Sequence, residues 1–186
     1  SSYVKNLKPS GKVVAQAYYG CAPIQIAFDV YVDAPLYPTS ITWNYGDGTG
    51  NTTCSNCAAT HHTFTSSGTY TVTAIYATST SCLDTVQTTV TIGTKPSTNF
   101  TATPLIACTS DIISFTNSST GANGYEWDFG DGIQSNLTNP THSYVVADTY
   151  SVRLISMDYG CRDTLTRIDY IAISGPRAGF TAAYSC

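Results

Sequence analysis

Charge is scarce in this chain. Only 11% of its 186 residues are charged, and its 8 lysines and arginines never gather into a patch. A phosphate backbone is held by concentrated basic groups, so a nucleic-acid partner is excluded. Long apolar runs are missing too. Nowhere do about 18 apolar residues follow one another, so no helical membrane span is encoded. The amino terminus lacks the basic-then-apolar layout of a signal peptide, which by itself leaves export open. No stretch keeps an apolar period of about 3.6 residues, so amphipathic helices are not expected. Nor does any nucleophile recur with a base and an orienting group, and no intrinsic enzyme is expected.

What is present is a sentence said twice. Trp43-Asn44-Tyr45-Gly46-Asp47-Gly48 returns as Trp127-Asp128-Phe129-Gly130-Asp131-Gly132. His62-Thr63-Phe64 answers His142-Ser143-Tyr144, and Thr69-Tyr70-Thr71-Val72 answers Thr149-Tyr150-Ser151-Val152. A period of roughly 80 residues is too long for a solenoid unit and suits a small sandwich domain. The expected layout is a first domain at 1–93 and a second at 94–175, with seams at Gly93-Thr94-Lys95-Pro96 and Ser174-Gly175-Pro176. Residues 176–186, with Gly179-Phe180-Thr181-Ala182 and then Cys186, read as the opening strand of a truncated third repeat.

The strands announce themselves by alternation. Ile24, Ile26, Phe28 and Val30 are separated by single residues, as are Ile113 and Phe115, and Tyr70, Val72, Ala74 and Tyr76. Tyr150, Val152 and Leu154 repeat the last of these. Val86, Val90 and Ile92 close the first unit, and Ile168, Tyr170 and Ala172 the second. The abundant Ser, Thr and 14 Tyr fit pleated, half-buried surfaces, so the fold class is all-β.

Cysteine positions also repeat. Cys21 and Cys82 hold the frame in the first unit that Cys108 and Cys161 hold in the second. Placing each pair at one pole of a sandwich predicts an intradomain disulfide in each unit and hence an oxidising compartment. Such a bond would stabilise a unit by roughly 4 kcal/mol on chain-entropy grounds. Cys54-Ser55-Asn56-Cys57, with His61 and His62 nearby, is peculiar to the first unit. It reads as a local disulfide, with a zinc site or free thiols as the alternatives.

These residues carry a resemblance. Trp127 to Gly132, then His142-Ser143-Tyr144 and Thr149 to Val152, is very similar to the signature of PKD domains. The first unit departs mildly, with Asn44 and Tyr45 in place of Asp128 and Phe129 and about three more residues before Trp43. The resemblance implies tandem immunoglobulin-like β-sandwiches with Trp43 and Trp127 in their cores, used outside the cell. The tandem layout with paired cysteines looks most like repeat regions of very large bacterial surface proteins, gliding-motility adhesins included. The function implied is a non-catalytic structural or adhesive stalk at the cell surface. The alternatives are an accessory spacer module of a secreted hydrolase and a subunit of a self-assembling extracellular filament. Partners would be neighbouring repeats, surface glycans or proteins.

Each chemical motif has a structural reading beside it. Asp47 and Asp131 sit between Gly46 and Gly48, and between Gly130 and Gly132, where an aspartate that bonds nearby backbone amides stabilises a tight turn. His62 and His142 lack a companion nucleophile and are expected to bond backbone in a corner of the sandwich, near Tyr70 and Tyr150. Some PKD domains bind calcium upstream of the tryptophan, but Asn117 to Gly121 holds no carboxylate and the first unit has only Asp29 and Asp33. No metal and no cofactor are expected. Tyr31 and Tyr37, with Pro35 and Pro38, are the candidate contact surface. Asn51, Asn99, Asn117 and Asn136 head Asn-x-Ser/Thr triplets of the kind chance supplies in a Ser/Thr-rich chain. Thr85 and Thr164 follow aspartates in a triplet that some gliding bacteria O-glycosylate, which intact mass would test.

Overall fold

Alternation dictates one buried face per strand, and two such faces must close on each other to shed water. In a computed structural model describing residues 10–33, 38–55, 58–78 and 83–175, the chain divides into two compact units, Ser1–Thr94 and Lys95–Cys186. Among the described residues all regular structure is β. Cys57, Cys82, Pro35, Tyr37 and the proposed third opening at 176–186 lie outside the described residues.

The first unit contains β1 (Gly11–Ala15), β2 (Tyr19–Cys21), β3 (Ile24–Val32), β4 (Pro38–Asn44), β5 (Asn51–Ser55), β6 (Ala59–Phe64), β7 (Gly68–Thr78) and β8 (Leu83–Gly93). One sheet has the order β1-β3-β6, the other β2-β8-β7-β4-β5. Ile26, Phe28 and Val30 from the small sheet meet Trp43, Val72, Ala74, Tyr76, Val90 and Ile92 from the large one. The second unit contains β9 (Phe100–Thr103), β10 (Ile106–Cys108), β11 (Ile113–Asn117), β12 (Gly124–Asp128), β13 (Gln134–Ser135), β14 (Thr141–His142), β15 (Thr149–Asp158) and β16 (Cys161–Ser174). Its sheets are β14-β11-β9 and β10-β16-β15-β12-β13. Phe100, Ile113 and Phe115 here face Trp127, Val152, Leu154, Ile171 and Ile173.

Two expectations are corrected. The first concerns the alternation Ile168, Tyr170, Ala172: Ile168 is 71% exposed, while Ile171 and Ile173 enter the core. Tyr150 pairs with Ile171 but Val152 with Arg167, so the register slips inside β16. Asp169 takes φ 49° there and donates its amide to Ser151 Oγ at 3.0 Å. A bulge of this kind carries the side chains that follow onto the other face.

The second concerns the intradomain disulfides. Cys108 pairs with Ser174, the last residue of β16, whereas Cys161 is its first. A strand of that length separates them by about 40 Å, and a disulfide requires Cα atoms within about 7 Å. Cys108 and Cys161 are both disulfide-bonded, as are Cys21 and Cys54, so neither Cys108 nor Cys161 is the other's partner. In the first unit Cys21 pairs likewise with Gly93, the last residue of β8. The physical reason is the parallel pairing of the short β2 and β10 with the end of the last strand, far from the β7–β8 and β15–β16 turns. The partner expected for Cys21, Cys82, lies outside the described residues.

Candidate functional site

In each unit the repeated motif builds one corner. Trp127 alternates into the core from β12, which leaves Glu126 and Asp128 on the outer face. The chain must then reverse. Gly130 has φ +87°, and a Cβ there would lie 2.4 Å from the Ser151 carbonyl oxygen; at Gly46 the corresponding figures are +76° and 2.6 Å from Thr71. Only glycine fits such positions. Asn44 Oδ1 and Asp128 Oδ1 accept the amides of Gly46 and Gly130 at 2.9 and 3.0 Å, as an Asx turn requires. One residue on, Asp47 Oδ1 accepts from the Thr49 amide at 3.2 Å and its hydroxyl at 2.7 Å, and Asp131 Oδ1 from the Ile133 amide at 3.1 Å.

The second oxygen of each aspartate holds the histidine. Nε2 of His62 lies 2.7 Å from Asp47 Oδ2, and that of His142 lies 2.8 Å from Asp131 Oδ2. The histidines therefore bond a carboxylate and not the backbone as expected. Each ring also stacks on the aromatic residue of the turn, His62 on Tyr45 at 3.8 Å and His142 on Phe129 at 4.3 Å. A ladder of rings results: Trp43, Tyr45, His62, Phe64 and Tyr70 in one unit, Trp127, Phe129, His142, Tyr144 and Tyr150 in the other. Tyr70 and Tyr150 end it by donating to the Ser66 and Val146 carbonyls at 2.9 Å, the tyrosine-corner geometry of sandwich domains. Trp127 Nε1 donates to the Leu137 carbonyl at 2.9 Å, whereas Trp43 Nε1 is buried with no partner among the described residues. Removing either member of the nearly buried Asp131–His142 pair strands the other. We expect Asp131→Ala to cost about 2 kcal/mol in urea unfolding.

Each aspartate spends one oxygen on the turn and the other on the histidine. Among the described residues no group of three His, Cys, Asp or Glu is placed to hold a metal. Cys54 is in a disulfide, so it is no zinc thiolate. Burial pushes the Asp47 carboxyl up, but hydrogen bonds from His62 and Thr49 outweigh it and hold the group below its ordinary value.

The repeated Asp-Thr triplets also have a structural account. Asp163 accepts the Thr98 amide at 2.9 Å and pairs with Lys95 at 3.1 Å, which draws its carboxyl down to about 2. Asp84 accepts the Tyr76 hydroxyl at 3.3 Å. Thr85 and Thr164 stand exposed beside them on the outer sheet faces. Asp163 is thus depressed in the folded chain relative to an unfolded aspartate near 3.9, at about 2. Stability from this group is complete above about pH 4 and is lost as pH falls toward about 2. The urea midpoint should therefore drop across that window, and Asp163→Asn should flatten part of the drop. Tyr31 is 55% exposed on β3, its ring 5.8 Å from the Lys12 ammonium.

One feature escaped sequence reasoning. On the outer face of β12, β13 and β15 lies an open cleft of about 300 Å³ lined by Glu126, Asp128, Gln134, Asn136, Arg153 and Ile155, with Trp127 beneath. Its residues come from strands paired only in space, and the sole linear signal is the alternation of Glu126 and Asp128 about Trp127.

A family model described as PKD domain matches residues 9–92 and again 94–173. Fibronectin(III)-like modules of Clostridium thermocellum CbhA share the fold with a TM-score of 0.52 at 16% identity, covering 92% of this chain and 99% of that one. Murine CEACAM1b gives 0.57 at 11%, covering 90% and 100%. A C-terminal fragment of intimin, solved with the intimin-binding domain of its translocated receptor, gives 0.53 at 13%, covering 84% and 62%. At such identities the likeness is one of fold.

Proposed function

The chain belongs to the PKD domain family in both of its units, and from that premise we propose that it is a structural and adhesive stalk segment of a secreted cell-surface protein. The observation that carries this reading is the full use of the repeated polar groups by the fold itself. Asp47 and Asp131 hold turns and histidines, and Tyr70 and Tyr150 hold corners. Rigid, saturated sandwiches in tandem suit the bearing of load and the display of a binding end, while an enzyme keeps a reactive group unsatisfied. Disulfide-bonded cysteines favour an oxidising environment.

The test is made in the source cell. Deleting both units should reduce attachment of the cells to surfaces, and inserting an unrelated pair of immunoglobulin-like domains should restore the part that depends on length. Attachment unchanged by deletion overturns the proposal.

A further inference from the structure

The repeated corner is fully used, but the outer face of the second unit's large sheet is not. Its rows are set by strand pairing: Asp128 beside Arg153 and Thr166, then Glu126 beside Ile155 and Thr164. The fifth strand, β13, is only two residues long and pairs with Trp127 and Asp128 alone. Glu126 consequently has no strand neighbour on that side. The sheet surface, which a longer strand would fill, becomes the cleft of about 300 Å³.

The lining holds Glu126, Asp128 and Arg153, and Arg162 beside it supplies the second guanidinium that balances their charge. Asp128 pairs with Arg153 at 2.9 Å, and Glu126 with Arg162 at 3.5 Å. Two carboxylates against two guanidiniums leave no net charge to select an ion. All four groups remain partly exposed, with 31–59% of each side chain accessible. They are planar and multidentate, and a carboxylate with one or two bonds made still has lone pairs to offer. The amides of Gln134 and Asn136 make no hydrogen bond among the described residues and supply both donor and acceptor. Ile155 adds an apolar patch to the floor.

The matching face of the first unit is built otherwise. Thr42 bonds Thr53 at 3.0 Å, Asn44 donates to Asn51 at 2.8 Å, and Gln87 donates to Thr73 at 3.0 Å. Side chains that satisfy one another across a flat sheet leave little for a ligand. The contrast confines the site to the second unit.

A ligand for the cleft must be uncharged, rich in groups that both donate and accept, and apolar along part of its surface. Sugar hydroxyls and the C–H faces of pyranose rings meet all three requirements. We propose that the cleft between β12, β13 and β15 binds a neutral glycan chain, with Gln134, Asn136, Glu126 and Asp128 on its hydroxyls and Ile155 under a ring face. The proposal deepens the adhesive reading and rests on it for its biological setting.

The test is an NMR titration of the whole chain with soluble cello-, laminari-, xylo- and manno-oligosaccharides, and with a uronic-acid oligomer as charged control. We expect at least one neutral oligosaccharide to shift, saturably, the amides of 126–128, 134–136 and 153–155. Replacing both Gln134→Ala and Asn136→Ala should weaken that binding about tenfold, while Gln87→Ala in the first unit should leave it unchanged. Both amides are exposed, so the variants keep their core. No shift with any neutral sugar up to about 10 mM overturns the proposal. So does binding that is confined to the acidic oligomer or that maps to another face, Tyr31 included. A chain that supports attachment in cells yet fails this titration loses the glycan site alone, not the stalk reading.

Discussion

Trp127→Ala should cost the second unit about 3–5 kcal/mol, the largest single loss in that core. The indole is 1% exposed and lies among Phe100, Phe115 and Phe129 at ring distances of 5.1, 5.6 and 6.4 Å. Truncation opens a cavity that a two-sheet sandwich closes poorly, because strand pairing fixes both walls. It also strands the Leu137 carbonyl that Nε1 satisfies. Phenylalanine separates these effects. Trp127→Phe loses the hydrogen bond, whereas Trp43→Phe removes a donor that has no partner among the described residues. We therefore expect Trp43→Phe to be the milder of the two by about 1 kcal/mol in urea unfolding followed by circular dichroism. Equal losses would contradict the hydrogen-bond account.

Gly130→Ala should cost about 3 kcal/mol or more, from a positive φ and a clash together. Its Cβ would stand 2.4 Å from a backbone oxygen of β15, which cannot yield without breaking the β12–β15 pairing. Gly132 is the control. It has φ +90° but open space around the added atom, so Gly132→Ala should cost only about 1 kcal/mol. In a domain this small each kcal/mol moves the melting temperature by about 4–8 °C, so calorimetry resolves the pair. Equal shifts would mean that conformation alone, and not the close approach to Ser151, requires glycine at position 130.

Much of the fold was legible because it obeys local rules. Ile26, Phe28 and Val30 alternate into the core, and so do Val72, Ala74 and Tyr76. Gly46 and Gly130 recur because the turn admits nothing else. What was illegible depends on partners distant in sequence. The bulge at Asp169 answers Ser151 across the sheet, and no pattern near Ile168 announces it. The cysteine frame repeated faithfully, yet its pole depended on β2 and β10 lying parallel to the ends of β8 and β16. Spacing alone cannot show that. The Asp–His pairs were half visible. Asp47 with His62, and Asp131 with His142, recur together, and a shared partner was the signal available in the repeats.

The central proposal is that this is a disulfide-bonded, extracellular, non-catalytic stalk. The most direct test labels intact source cells with a membrane-impermeant amine reagent and maps the labelled protein's cysteines without reduction. The account predicts surface labelling at the exposed Lys12 or Lys95, with Cys21, Cys54, Cys108 and Cys161 recovered in disulfide-linked peptides. Protein that is labelled only after lysis, with Cys21, Cys54, Cys108 and Cys161 as free thiols, would contradict it.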